Sequence, residues 1–159
     1  MLLPLQRLRA GFSPRSYGVP LMSHVFHQLY YHFVWATHDR EPLLIAELRP
    51  DLLRIQAEEI AQRGGILIRQ NCVTDHMHLL VRLTPNILVS DFIGQVKGAA
   101  CYRFNHETNP KVRLKWQEGY AVLTLREEEV EKVARYIDNQ ERLHQEGKLS
   151  RVLEILADM

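Results

Sequence analysis

Cysteine is scarce in this chain: Cys72 and Cys101 are the only two in 159 residues, and they lack metal-type spacing. That leaves out a disulfide framework and points to a reducing cytoplasm, with each thiol free to serve as a small core residue. No apolar run approaches the roughly 18 residues needed to cross a bilayer, so no membrane is expected as a partner. Net charge is also nearly absent, at +1. A polyanionic partner would therefore have to meet a local basic surface. Internal repeats and low-complexity tracts are missing too, which leaves one ordinary domain of 18.6 kDa, 46% apolar and 25% charged.

Acidic side chains are missing from one segment. Residues 1–21 carry Arg7, Arg9 and Arg15 with Pro4, Pro14, Pro20, Gly11 and Gly18, and no Asp or Glu. This composition predicts a disordered arm, or an extension added by an upstream start codon to a domain opening near Met22. Met1 to Leu5 is too short an apolar stretch, and too soon broken by Pro4, for a secretory signal. A basic arm that touches nucleic acid is the functional alternative. The patterned domain is expected over 22–150, with a short tail at 151–159 that bears on assembly more than on chemistry.

Within the domain, Val25 to Thr37 alternates, with Leu29, Tyr31, Phe33 and Trp35 on one side and Gln28, Tyr30 and His32 on the other, and reads as a strand. A polar turn at His38–Pro42 leads to a helical pattern over Leu43–Arg63, started or kinked by Pro50 and stopped by Gly64-Gly65. Ile66–Gln70 and Val73–Leu83 supply strand material, either a hairpin or one bent strand. Val89–Asn105 repeats its apolar residues at helical spacing, with Ser90 or Asn86 available as a cap. Val112–Trp116 and Tyr120–Leu125 read as short strands about Gly119. Arg126–Glu146 reads as a final helix opened by Glu127, Glu128 and Glu129 at its positive end and stopped at Gly147. This order predicts an α+β sandwich with a mostly antiparallel sheet.

Chemistry concentrates at Asp75-His76-Met77-His78-Leu79-Leu80-Val81-Arg82. On a strand, His76 and His78 project from one face while Met77, Leu79 and Val81 project from the other. Two imidazoles on one face suit a divalent metal; without a third ligand they are equally two solvated or hydrogen-bonded histidines. On the last helix Tyr136 and Gln140 are four residues apart, about 40° around the axis, and share a face at the edge of the stripe Val130, Val133, Ala134 and Ile137. Between Lys97 and Arg126 six basic residues, Lys97, Arg103, Lys111, Arg113, Lys115 and Arg126, face two acidic ones. Tyr102, Phe104, Trp116 and Tyr120 are interleaved with them, the pattern of a surface that holds phosphates and stacks unpaired bases, or of core aromatics beneath a solvated face.

Taken in order, these pieces resemble the single-tyrosine HUH transposases of small bacterial insertion sequences and their REP-associated relatives. The resemblance rests on Val34-Trp35-Ala36-Thr37 with Arg40-Glu41-Pro42-Leu43-Leu44, the Asp75–Val81 run, Val96-Lys97-Gly98, Lys115–Tyr120, and Tyr136-Ile137-Asp138-Asn139-Gln140-Glu141. It implies a ferredoxin-like or RRM-like α+β sandwich, helices on one face, and a C-terminal helix carrying the tyrosine. It further implies His76, His78 and Gln140 as ligands of Mg²⁺ or Mn²⁺, Tyr136 as nucleophile, and Lys97 as a DNA contact. The implied activity is cutting and rejoining single-stranded DNA at hairpin-bearing element ends through a 5′-phosphotyrosine, in the bacterial cytoplasm. A homodimer with site sharing between subunits is a further implication. Where the family often has a pair of histidines after the glutamine, this chain has Leu143-His144. Two alternatives remain: a catalytically silent hairpin-binding protein of the same fold, and a zinc hydrolase that needs no Tyr136.

Overall fold

Alternating bulk makes Tyr30–Ala36 the first strand, β1: Phe33 and Trp35 point into a core, and His32 and Val34 point the other way. The computed structural model describes residues 25–155 apart from 109 and 112; the expected arm at 1–21 and the last four residues of the tail lie outside the described residues. Val25 and Phe26, expected in the strand, precede it and are exposed. A single 3₁₀ turn, His38–Arg40, replaces the expected plain turn. The first helix, α1, covers Arg49–Gln62 and not the whole pattern from Leu43, because Pro50 lacks an N–H and fits only the first helical turn. Gly64, at φ +75°, takes the left-handed position that ends α1. At Gly65 a Cβ would lie 2.8 Å from the Phe92 ring, so only glycine lets the chain pass so close to the next helix.

The two strand segments form a hairpin, β2 (Ile66–Cys72) and β3 (His76–Arg82), followed by α2 (Val89–Glu107) and β4 (Ala121–Leu125). Neither Ser90 nor Asn86 caps α2; Leu88 is its N-cap and makes no side-chain bond. Of the strand expected at 112–116, the described residues show a single bridge, from Trp116 to Thr37. All pairings are antiparallel in the order β2-β3-β1-β4. A β-α-β-β-α-β chain in that order is the ferredoxin-like sandwich that the family resemblance implies.

Both faces of this sheet are covered. Phe33, Trp35, Met77, Leu79 and Val81 pack with Leu52, Ile55, Phe92, Ile93 and Val96 of α1 and α2. On the opposite face Leu80 packs with Val133, Ala134 and Ile137 of α3 (Glu127–Asp138). These three α3 residues lie in the predicted apolar stripe. The Glu129 carboxylate accepts from the Arg126 N–H at 3.0 Å, so negative charge does sit at the helix start. The expected single last helix is two: Asn139 leaves helical geometry at φ −96°, ψ 11°, and α4 (Gln140–Glu146) begins after it. β3 is thus buried on both sides, and its supposed polar face is not solvated: His76 and His78 are both 0% exposed.

Fixing α3 on the sheet depends on few side chains. Ile137 is fully buried, and its carbonyl accepts from Asn71 Nδ2 of β2 at 2.9 Å. Ile137→Ala is expected to cost about 2–5 kcal/mol of unfolding free energy, against less than about 0.5 kcal/mol for Val122→Ala on the exposed side of β4, as measured by urea denaturation.

Candidate active site

Two histidines from the central strand, a tyrosine from α3, a glutamine from α4 and a carboxylate from the C-terminal segment meet at one buried point. Register places His76 opposite Ala36 and His78 opposite Val34 on β1. His32, diagonal to His78 across the same strand pair, bonds through Nε2 to His78 Nδ1 at 3.0 Å and stacks on its ring at 5.2 Å between centroids. Asp75 holds His76 Nδ1 at 2.7 Å. Asp75 is held in turn by Arg40, at 2.8 Å from Nε and 2.7 Å from Nη2. Arg40 and Asp39 both adopt positive φ, 57° and 52°, conformations that cost side-chain-bearing residues energy and that persist where neighbouring contacts over-determine them.

With their Nδ1 atoms engaged, both imidazoles turn Nε2 into the site. Among the described residues His76 Nε2 and His78 Nε2 make no well-aligned hydrogen bond and face only the Glu154 carboxylate, while Gln140 Oε1 and His144 Nε2 are likewise without a hydrogen-bond partner. Unpartnered buried polar atoms are costly, and a cluster converging on one point is the arrangement a cation satisfies. Ligand atoms of His76, His78 and Glu154 all lie within 4.8 Å of one another. His76, His78 and Gln140 therefore fit a divalent ion, with imidazole nitrogens that Mn²⁺ accepts readily and an amide oxygen that Mg²⁺ accepts, and the Glu154 carboxylate lies beside them.

Glu154 was not anticipated from sequence. Its side chain is 13% exposed. Its carboxylate accepts from the Tyr136 hydroxyl at 2.5 Å and from Gln140 Nε2 at 3.0 Å. It lies 3.2 Å from His76 Nε2 and 3.4 Å from His78 Nε2. The tail therefore bears on the site's chemistry, contrary to the expectation from its shortness. The site is also not free of negative charge, as a histidine pair with glutamine alone would be. The signal was a lone carboxylate within the apolar run Val152-Leu153-Glu154-Ile155. His32 was visible only as a residue on the polar side of β1. Tyr136 and Gln140 meet through this carboxylate and across the break at Asn139, not along one continuous helix face.

The electrostatics follow from burial and charge. Burial opposes ionisation of Asp75 and Glu154, yet hydrogen bonds from His76 and Arg40 hold Asp75 down at about 2, and those from His76 and His78 hold Glu154 well below the carboxylate range. Burial pushes His78 down, and His32 down to about 3 with help from the His78 charge. Against its own burial, His76 is raised by Asp75 and Glu154. Burial first, then the Glu154 hydrogen bond, push the Tyr136 phenol up to about 12.

The basic residues divide. Lys97 is buried, and its Nζ donates to the carbonyls of Gln117, at 3.2 Å, and Gly119, which pins the loop before β4 onto α2. Arg103 is bound by Glu58, Glu59 and Glu107, a guanidinium committed to α1 and its own helix. Lys111, Arg113 and Lys115 are exposed. Phe104 is core, whereas Tyr102 is exposed and stacks on His106.

The profile of IS200-like transposases matches residues 25–140. This chain belongs to that family. The chain is 31% identical over 120 residues to the ISDra2 transposase TnpA of Deinococcus radiodurans, covering 72% of this chain and 85% of that protein. It is 28% identical over 100 residues to the transposase of insertion sequence element IS200 from Salmonella typhimurium, covering 60% of this chain and 66% of that one. A crystal structure from Deinococcus radiodurans described as a transposase superposes with a TM-score of 0.61 at 29% identity, over 77% of this chain and 98% of the other. A REP-associated tyrosine transposase bound to a REP hairpin superposes at 0.55 with 18% identity, over 77% and 74%, and shares the fold. A transposase of this family acts on DNA, and among the described residues no helix is long and apolar enough to cross a membrane.

Replacing His32 by Phe keeps a ring against His78 and deletes its nitrogen partner; calorimetric titration should find Mn²⁺ affinity lowered roughly 10- to 100-fold. Lys97 gives a pH prediction. Burial lowers its folded pKa to about 8 from an ordinary 10.5, so between those values the unfolded chain binds more protons than the folded one. The cost of burying its charge is full below about 8 and fades as pH rises to 10.5. Wild type should therefore gain stability relative to Lys97→Met across that window, read by urea denaturation at several pH values.

Proposed function

We propose that this chain cuts and rejoins single-stranded DNA at hairpin-bearing ends, with Tyr136 as nucleophile and His76, His78 and Gln140 as ligands of Mg²⁺ or Mn²⁺. One observation carries the reading: the Tyr136 hydroxyl and the inward Nε2 atoms of two buried histidines converge on a single carboxylate, Glu154, and so lie within reach of one phosphate-sized group. In the reaction the Tyr136 oxygen forms a bond to phosphorus as its proton leaves. The bond to the upstream 3′ oxygen breaks, and that oxygen takes a proton, leaving a 5′-phosphotyrosine and a 3′-hydroxyl. Because the phosphodiester energy is kept, a 3′-hydroxyl can reverse the step and join strands. A bound divalent ion would polarise the phosphoryl oxygens and offset their charge.

Each side chain has a task in that scheme. Asp75 and His32 hold the two imidazoles with Nε2 inward. The break at Asn139 aims Gln140 inward from α4 while Tyr136 stays on α3. Exposed Lys111, Arg113 and Lys115 offer charge to the DNA backbone. Lys97 and Arg103 serve the DNA surface indirectly, by fixing the loop and helix that carry it. The hairpin held by the REP-associated relative supports a hairpin as the DNA partner. The assembly proposed with this function is a homodimer, with site sharing between subunits as the resemblance implies.

A silent hairpin-binding descendant of the family is the second reading, and the same experiment separates the two. Purified protein with Mn²⁺ and labelled single strands copied from both flanks of its own gene should yield a slow, protease-sensitive DNA adduct on a denaturing gel. Tyr136→Phe should abolish the adduct, with a loss above about 10³-fold, and retain DNA binding. Hairpin binding with no adduct from the wild-type protein would establish the silent reading.

A further inference from the structure

Glu154 belongs to a turn, Arg151–Glu154, that follows α4 and returns over the sheet. Its two carboxylate oxygens divide the site between them. One accepts from Tyr136 at 2.5 Å and from Gln140 at 3.0 Å and lies 3.4 Å from His78 Nε2. The other lies 3.2 Å from His76 Nε2 and 3.7 Å from His144 Nε2. For the reaction proposed above, the tyrosine oxygen must come within about 3–3.5 Å of phosphorus. The phosphoryl oxygens must at the same time face the ligand nitrogens. An anion whose oxygens bridge the nucleophile and the two histidines fills that same space.

A permanent ligand role suits these contacts less well. A carboxylate that stayed in place would keep the Tyr136 hydroxyl hydrogen-bonded to itself and would set a second negative charge against the incoming phosphodiester. Apart from the Glu154 carboxylate itself, the segment is lightly held. Leu153 packs on the α3 cluster, and Ser150 N–H donates to the Tyr136 oxygen at 3.1 Å, but Leu149, Val152 and Ile155 are exposed. Segments with few buried contacts open at low cost.

We propose that residues 148–155 are a built-in competitor for substrate: Glu154 occupies the seat of the scissile phosphate in the resting chain, and single-stranded DNA must displace it before Tyr136 can attack. His144, on the same seat, becomes a contact of the phosphate once Glu154 has left. This rests on the single-strand cleavage reading, and the test keeps the two apart.

Wild type, Glu154→Ala and Glu154→Gln, each checked for folding by its thermal melt, are compared by three measurements. These are anisotropy of a labelled flank oligonucleotide in EDTA, Mn²⁺ affinity by calorimetry, and adduct formation on a denaturing gel. A competitor predicts oligonucleotide binding several-fold tighter in Glu154→Ala, adduct formation faster by about tenfold, and Mn²⁺ affinity within about twofold of wild type. Unchanged or weaker oligonucleotide binding overturns it. So does a tenfold loss of Mn²⁺ affinity together with loss of the adduct, which would make Glu154 a ligand. If no protein forms an adduct, the cleavage reading fails, and the oligonucleotide comparison still decides the competitor by the same criterion.

Discussion

Two imidazoles buried at the centre of a sheet are the constraint on which the rest of this molecule depends. His76 and His78 sit on a strand covered on both faces and are wholly removed from solvent. A polar ring in such a place is tolerated only when its nitrogens are satisfied. The neighbouring elements supply this on one side of each ring, Asp75 for His76 and His32 for His78. The inward nitrogens are left to the site. The apolar half of the same strand, Met77, Leu79 and Val81, anchors the geometry in the core formed with α1 and α2. Function and packing thus share one seven-residue strand and are separated by its two-residue period.

The second requirement is to bring other groups to those nitrogens, and the chain does so by interrupting regular structure. Asn139 breaks the last helix, so that Gln140 enters the site from a new axis. Positive φ at Asp39 and Arg40 aims a guanidinium at Asp75, and the ion pair it makes there offsets the strain. After Gly147, at φ +64°, the chain turns back and carries Glu154 onto the sheet. Departures from ideal geometry cluster around the site, as expected where residues are held for chemistry and not for stability alone.

Much of the fold was legible because its signals are local. The alternation of Tyr31, Phe33 and Trp35, the helical spacing of Val89–Ala100 and the stripe Val130, Val133, Ala134 and Ile137 each depend only on the period of one element. The sequence says least where a distant partner decides a residue's surroundings. Residues 113–116 have the look of a strand, yet the sheet extends beyond β1 only through β4, and Trp116 keeps one bridge. Arg103 reads as a DNA contact in a basic run, but the folded chain places three glutamates around it. Lys97, a DNA contact by the resemblance, has its Nζ bound to the loop carbonyls of Gln117 and Gly119.

The sequence by itself determined the order of the main strands and helices, a mostly antiparallel α+β sandwich and the single face shared by His76 and His78, because side-chain period is a property of the backbone that no neighbour alters. The motif order from Val34 to Glu141 carried the family resemblance, and through it the choice of Tyr136 and Gln140 as candidates. Only the tertiary structure decided that both sheet faces are buried, that His32 and Asp75 orient the pair, and that Glu154 lies between Tyr136 and the histidines. Those contacts join residues tens of positions apart, and their distances and charges exist only once the strands have paired and α3 has packed across them.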